Sequence, residues 1–394
     1  MKLVILSCGS VASDVARRIA VGGGFDEMVV ADVRGELADS VAASIGSPKV
    51  TSARFDATDP DSLAAVVRGA DIVFNGVGPY YRHGIPILEG VLAAGAHYVD
   101  VCDEFDVAEE LITNTRYDEA AKKAGLTVLT GIGASPGLTN LLARWAVDSL
   151  DSAHSVHVVL GLPLGVDMGS TINEHMLHSF DGEITQFLDG RYQKVPGWGD
   201  PRQFELFPPF PSHHRFGFMG HPESITVPHF VTGLREATSR FTWFQQEGVE
   251  LYRTLARLGL TSTEELEGLP VSPRAFLSRF MATDHGRHAM SADMGDAVNG
   301  NVWHVEAEGE LEGAPAKVVF EAHVLFDRRR AASGAALTAI PAAAGVRQLM
   351  EGRITRRGVV APEGCIDPEL FVRAAYAEMG VPLYRRVVRT EQLR

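Results

Sequence analysis

The chain has 394 residues, of which 45% are hydrophobic and 22% charged, enough length and apolar matter for two ordinary globular domains. Its formal net charge of -14 at pH 7 repels phosphate backbones and excludes nucleic acid as an expected partner, while leaving cationic small molecules such as amines admissible. No apolar run approaches the roughly eighteen residues of a bilayer crossing, so no membrane partner is expected.

Leu3-Val4-Ile5-Leu6 opens the chain as a short apolar strand, and Ser7-Cys8-Gly9-Ser10-Val11-Ala12 follows as a turn. Val11, Val15 and Ile19 recur every four residues, as one helix face does. Gly22-Gly23-Gly24 stops that helix, and Met28-Val29-Val30-Ala31 is the next apolar run, closed by Asp32. Strand, turn, helix, strand and acid make the layout of a dinucleotide-binding βαβ unit. Its backbone N–H groups and helix N-terminus receive a pyrophosphate, and its acid receives ribose hydroxyls. In the G-x-G-x-x-G/A pattern the first glycine is replaced by Ser7, the second is Gly9, and the third position is Ala12. The alternative is an ordinary crossover with a small residue in its turn. A carboxylate at 32 favours NAD over NADP because it repels a 2′-phosphate; Arg34 can hold that phosphate if Asp32 turns away.

The alternation continues. Ala53 to Asp56 is a short strand, and Asp59-Pro60 opens a helix with Asp as N-cap and Pro at the first helical position. Ile72-Val73-Phe74 is a buried strand, followed by a helix from about Ile85 to Ala94, the strand Tyr98 to Val101, a longer helix from about Val107 to Ala124, and the strand Leu126 to Leu129. Six strands alternating with helices specify an α/β fold, a doubly wound parallel sheet of Rossmann type. Ser135 then caps a helix with Pro136 at its first position, running through Leu141 and Trp145.

From Val156 the texture changes. Val156 to Leu160 is a strand, and residues about 196–230 are rich in Pro, Gly, His and Phe with little regular pattern. Val302 to Leu311 and Lys317 to Phe326 alternate strictly and join as a hairpin through Glu312-Gly313-Ala314-Pro315. This predicts an α+β substrate domain with a mainly antiparallel sheet, one face solvated. Ala331 to Met350 is an Ala-rich helix that returns to pack on the first domain. The expected domains are therefore 1–135, 136–330 and a helical tail, 331–394.

Three cysteines, Cys8, Cys102 and Cys365, lack a CxxC and speak for a reducing compartment. The N-terminus enters a strand after a single Lys, unlike a signal peptide. The expected location is the cytoplasm. His213, His214 and His221 cluster in sequence without a helical i, i+4 pair, so no metal site is expected. Cys102 has no activating base nearby in sequence and reads as a small wall residue.

Several stretches together resemble one family. Asp71-Ile72-Val73-Phe74-Asn75-Gly76-Val77-Gly78-Pro79-Tyr80-Tyr81, Gly95-Ala96-His97-Tyr98-Val99-Asp100 and Gly131-Ile132-Gly133-Ala134-Ser135-Pro136-Gly137-Leu138 look like motifs of the saccharopine dehydrogenase-like oxidoreductases. Val271 to Arg274 and Gly358 to Glu363 resemble the family's late motifs. The likeness is densest over residues 1–145, and His221-Pro222-Glu223 looks more like the lysine 6-dehydrogenase branch. The resemblance implies an NAD- or NADP-dependent oxidoreductase working at a C–N carbon of an amino-acid-derived or polyamine-like small molecule, as a homodimer. It implies cofactor contacts at Cys8, Gly9, Ser10, Val11, Asp32, Asp56, Ala57, Gly76, Val77, Val101 and Gly133. Substrate contacts are implied or expected at Tyr80, Cys102, Asp103, Ser135, His221 and Arg240.

Two departures stand out. Ser135 replaces the Asp that meets the substrate's amino group in saccharopine reductases, and Gly220 to Glu223 lacks an Arg present there, so saccharopine itself is not the expected substrate. Asp103 is the one catalytic candidate, a carboxylate that holds an ammonium or assists proton transfer; its alternative is a helix-start acid beside Glu104. Arg240 is a clamp for a carboxylate or a surface ion pair. A pocket histidine is expected at His221 or His83. Reduction of a C=O or C=C bond on the same scaffold, or a non-catalytic dinucleotide sensor, are the rival functions.

Overall fold

The computed structural model describes residues 1–164, 169–268, 270–291, 299–326 and 334–390. In chain order its first elements are β1 (Lys2–Leu6), α1 (Ser10–Gly22), β2 (Glu27–Asp32), α2 (Gly35–Ile45), β3 (Val50–Arg54), α3 (Pro60–Val66), β4 (Ile72–Asn75), α4 (Tyr80–Ala93), β5 (His97–Asp100), α5 (Phe105–Thr113), α6 (Thr115–Ala124), β6 (Thr127–Leu129) and α7 (Leu138–Asp148). There follow β7 (Ser152–Leu162), α8 (Gly169–His178), β8 (Glu183–Leu188), β9 (Arg191–Pro196), β10 (Arg202–Gln203), β11 (Arg215–Phe218), α9 (Glu223–Phe230), β12 (Glu236–Trp243), α10 (Gln246–Arg257), α11 (Pro273–Met281), α12 (Asp284–Ser291), β13 (Gly300–Leu311) and β14 (Ala314–Leu325). The tail holds α13 (Gly334–Met350), β15 (Gly358–Val360), α14 (Pro368–Met379) and β16 (Leu383–Arg389). The chain forms two compact units, Met1–Leu141 with Ala332–Met379, and Leu142–Ala331 with Gly380–Arg394.

The first unit is built on a seven-stranded parallel sheet in the order β15-β6-β5-β4-β1-β2-β3. Its central strands are apolar because helices cover both faces: Leu3 to Leu6, Val73, Phe74 and Val99 are all buried, whereas the edge strand β3 is polar and partly exposed. The strand order reverses between β1 and β4, which opens a crevice at their carboxyl ends. Local chemistry sets the helix ends. Asp59 accepts the Asp61 N–H at 3.0 Å and Pro60 follows it, as expected. The expected helix 107–124 is instead two, because Asn114 leaves the helical region (φ -93°, ψ 96°) and caps α6 through the Arg116 N–H. α4 starts at Tyr80, one turn before the expected Ile85. The seventh strand is β15, unforeseen because three residues give no period to detect. α13 packs on α1, and Arg347 donates to the Arg18 carbonyl at 3.1 Å.

The second unit carries a nine-stranded sheet, with β10-β11-β12-β7-β13-β14-β16 as its path. It is mixed, since β12 runs parallel to β7 while β13 and β14 form the expected antiparallel hairpin. Two expectations are corrected here. The polar face of the hairpin is covered: His304, Glu306, Glu321 and His323 are buried under residues 204–216, where Phe204 and Phe210 pack on His304 and His323. The tail is not wholly helical either, because Leu383–Arg389 pairs with β14. Residues 331–333 and 391–394 of the expected tail lie outside the described residues.

Candidate functional site

The β1–α1 turn is tightest at Ser7, whose φ of 84° lies in the left-handed region where glycine is easier. Ser7 donates its N–H to the Ala31 carbonyl (2.7 Å), and its hydroxyl accepts the Gly9 N–H (3.1 Å). Gly9 has φ -63°, open to any residue, and a Cβ built on it meets Ser7 Oγ at 3.4 Å and nothing nearer. Internal packing therefore does not demand glycine at 9. The absent side chain leaves a bare backbone cradle facing out. α1 has no side-chain cap and no acid in its first turn, so its leading N–H groups remain available to an anion. Ala12 answers to packing instead: a Cβ on Gly76 would lie 2.8 Å from Ala12 Cβ and 3.2 Å from the Leu6 carbonyl.

Asp32 ends β2 with its carboxylate turned inward, buried beside this turn. Its Oδ2 accepts the Cys8 N–H (2.8 Å), and Oδ1 accepts the Arg34 N–H (3.0 Å) with Arg34 Nε at 3.4 Å. Cys8 is buried as well, and burial together with Asp32 pushes its thiol up to about 11. Asp56, after β3, accepts the Thr58 N–H and hydroxyl (2.9 and 2.7 Å), which hold its carboxyl below the usual range. Beside it a cavity of about 710 Å³ is lined by Ala57, Thr58, Arg82 and His83. Burial and the Arg82 charge keep His83 below its ordinary pKa. Val77, half-buried, is held by the Asn75 side chain at 3.0 Å.

The loops after β5 and β6 meet on one carboxylate to which the sequence alone assigns no role. Asp100 is fully buried; its Oδ1 accepts the Gly131 N–H (2.7 Å), the Thr130 hydroxyl (3.0 Å) and the Cys102 N–H (3.1 Å). Burial raises its pKa and these donors oppose the rise. Tyr98 accepts from Asn75 Nδ2 at 2.9 Å, linking β4 to the same cluster. The only sequence signal was an acid at the end of a strand. Val101, Asp103 and Ser135 are half-exposed around these loops, whereas Gly133 is buried. Tyr80 is buried and donates its hydroxyl to the Asn75 carbonyl (3.0 Å), so it offers a ring wall rather than a polar contact. Cys102 is closed off, and burial holds its thiol far above the ordinary value. The expected cap at Ser135 with Pro136 is corrected: α7 begins at Leu138, and Asn140 Oδ1 accepts the Gly137 N–H at 2.8 Å.

The second unit carries the other two candidates. His221 is buried and pairs through Nδ1 with the buried Glu223 carboxylate, 5.5 Å from the His175 ring. Arg240 is neither an open clamp nor a surface pair. It is 0% exposed, donates to the Asp200 carbonyl and carboxylate (2.5 and 2.8 Å) and to Thr238 Oγ1 (3.0 Å), and lies 4.3 Å over the Phe218 ring. Its charge is spent inside the fold. Among the described residues no helix is long and apolar enough to cross a membrane.

Comparison with known proteins agrees with this geometry. Residues 3–129 match the model of the saccharopine dehydrogenase NADP binding domain, and residues 133–375 that of the saccharopine dehydrogenase C-terminal domain. A carboxyaminopropylagmatine dehydrogenase of Synechocystis sp. is 26% identical over 98% of both chains. A carboxynorspermidine synthase of Vibrio alginolyticus is 25% identical over 57% of each. The solved saccharopine dehydrogenase (L-Glu forming) of Saccharomyces cerevisiae superposes with a TM-score of 0.68 over 98% of this chain and 99% of that one, at 16% identity, a likeness of fold. The bare turn at Gly9, the uncapped α1 and the two matching domains together make this chain a member of the saccharopine dehydrogenase family, an NAD(P)-dependent oxidoreductase.

Proposed function

We propose that the chain transfers hydride between a nicotinamide dinucleotide and a C–N carbon of a small amine bearing a carboxylate, amino-acid-derived or polyamine-like. The observation that carries this reading is the Gly9 cradle at an uncapped helix N-terminus. Ser10 and Val11 would hold the pyrophosphate through backbone N–H groups, and Gly9, with no side chain, would let it approach. Asp32 would take the ribose hydroxyls, and NAD is the preferred form because its carboxylate is fixed at the end of β2. Asp56 and Ala57 would flank the adenosine, while Gly76, Val77, Val101 and Gly133 would border the path to the ring. The names of the two relatives are those of carboxylated amines, which favours that substrate class here.

The bound nicotinamide would supply or accept the hydride. The protein's own part is to orient the substrate carbon and to manage charge on nitrogen as it changes. Asp103, half-exposed at the carboxyl end of β5, would hold the substrate ammonium, with Ser135 as a further contact. We further read the chain as a homodimer of a reducing cytoplasm, which fits its free cysteines; light scattering in solution tests the mass.

The test is a panel of amino acids, diamines and keto-acid/amine pairs, followed by nicotinamide absorbance. Turnover on a carboxylated amine is the expected result. Cofactor binding without turnover on any of them would favour the sensor. Asp103→Ala is expected to lower turnover on the order of tenfold to a thousandfold while leaving dinucleotide affinity in place. An unchanged rate would remove Asp103 from the site.

A further inference from the structure

A second cavity lies wholly within the second unit and has no part in the reading above. It measures about 610 Å³, within the range of small-molecule sites. Its floor is one face of the sheet. Ser155 on β7 stands opposite Glu236 on β12 and Glu308 on β13, and His157 stands two residues further along the same face. His154, Arg202, Arg235 and Asp189 complete the wall.

The floor is polar where a strand interior is ordinarily apolar. Ser155 is 4% exposed, yet its hydroxyl has no hydrogen-bond partner among the described residues. A buried hydroxyl left this way asks for a partner from outside the chain. His157 is held neutral, pushed down to about 3 by burial and the Arg240 charge. Arg240 Nε donates to Thr238 Oγ1 at 3.0 Å, and the same oxygen lies 2.8 Å from His157 Nδ1. His157 and Ser155 therefore bring neutral polar groups to the floor.

The charges around them are balanced rather than of one sign. Arg202 is taken up by Asp200 and Glu236 (2.7 and 2.9 Å), and Lys317 holds Glu308 at 2.8 Å. Arg235 is exposed and has no ion-pair partner among the described residues. Asp189 lines the same cavity from the neighbouring turn, whose Gly190 N–H donates to the Arg235 carbonyl at 2.8 Å. With Glu236 and Glu308 already paired, the charges left open are Arg235 and Asp189. A molecule carrying both a carboxylate and an ammonium answers both, and its carboxylate also gives the Ser155 hydroxyl an acceptor.

We propose that this cleft binds a free amino acid, its carboxylate on Arg235 and the Ser155 hydroxyl and its ammonium on Asp189. The test is calorimetry on the full chain with L-lysine and L-glutamate, with cadaverine and glutarate as partners lacking one of the two groups. At least one amino acid is expected to bind at millimolar concentration or below, and its truncated partner at least tenfold more weakly. Arg235→Ala and Asp189→Asn should each weaken that binding at least tenfold. Both variants should fold, since Arg235 is exposed and Asn tolerates the positive φ of 52° at position 189. Absence of binding, equal binding of cadaverine or glutarate, or binding that neither variant changes would overturn the proposal.

Discussion

Gly9 lies in the β1–α1 turn and Asp32 bonds that turn from the end of β2, yet the two answer to different demands. Gly9 is glycine for what lies outside the protein, because its own backbone and neighbours would accept a methyl group. Gly9→Ala is therefore expected to cost about 1 kcal/mol of stability or less, while dinucleotide affinity falls about tenfold or more, roughly 1.4 kcal/mol. Calorimetry beside thermal melting separates the two, and equal losses in both would refute the assignment. Asp32 is a structural acceptor for Cys8 and, in the proposed cofactor site, a charge near the ribose. Asp32→Asn keeps an acceptor for the Cys8 N–H and removes the charge. It should move the NADPH-to-NADH preference toward NADPH by about tenfold. The turn and its acid were legible because spacing and residue type carry them. The fate of Arg240 was not, since nothing in a linear reading reveals that Asp200, forty positions away, claims its guanidinium.

At the scale of elements, the β13–β14 hairpin shows how far alternation can be read. The strict apolar–polar pattern placed both strands, but it could not say whether the polar side met water. The side chains answer by pairing among themselves. His304 meets Glu321 at 2.8 Å and Glu306 at 3.2 Å, His323 meets Glu321 at 2.6 Å, and Lys317 meets Glu306 at 3.0 Å. Burial alone would lower the His304 pKa, but the two carboxylates overcome it and raise the value above 6.5. A group raised in the folded state stabilises fully below its unfolded pKa, and the contribution is lost as pH climbs through the folded value. Stability, read as the melting temperature, should thus fall as pH climbs past the ordinary histidine value of 6.5 and through the raised folded one, by at most about 1.4 kcal/mol per pH unit for one proton. His304→Gln should melt lower at pH 7 but follow a flatter curve, and parallel curves would show that the imidazole does not titrate in this window.

At the scale of the whole molecule, the first unit is discontinuous. α13, β15 and α14 belong to it although all of the second unit but β16 precedes them in the chain. The Ala-rich composition of 331–350 pointed to the returning helix, whereas β15 and β16 were too short or too charged to be told from loop. A chain ended after residue 331 should lose β15 from the sheet edge and α13 from the face of α1. Melting of such a fragment is expected to be broad, with dinucleotide binding reduced at least tenfold. Unchanged affinity would mean the crevice is complete without the tail.

The same interleaving sets a timetable for synthesis. When the ribosome has delivered the first 141 residues, the β6 strand presents a bare row of peptide groups, and the segment destined to cover it has not yet been translated. Some two hundred more codons must be read before Gly358–Val360 emerges to dock there. For that interval the nascent polypeptide carries an open template for strand addition, and a holding chaperone or rapid elongation decides whether it is filled by its own sequence or by a neighbour's.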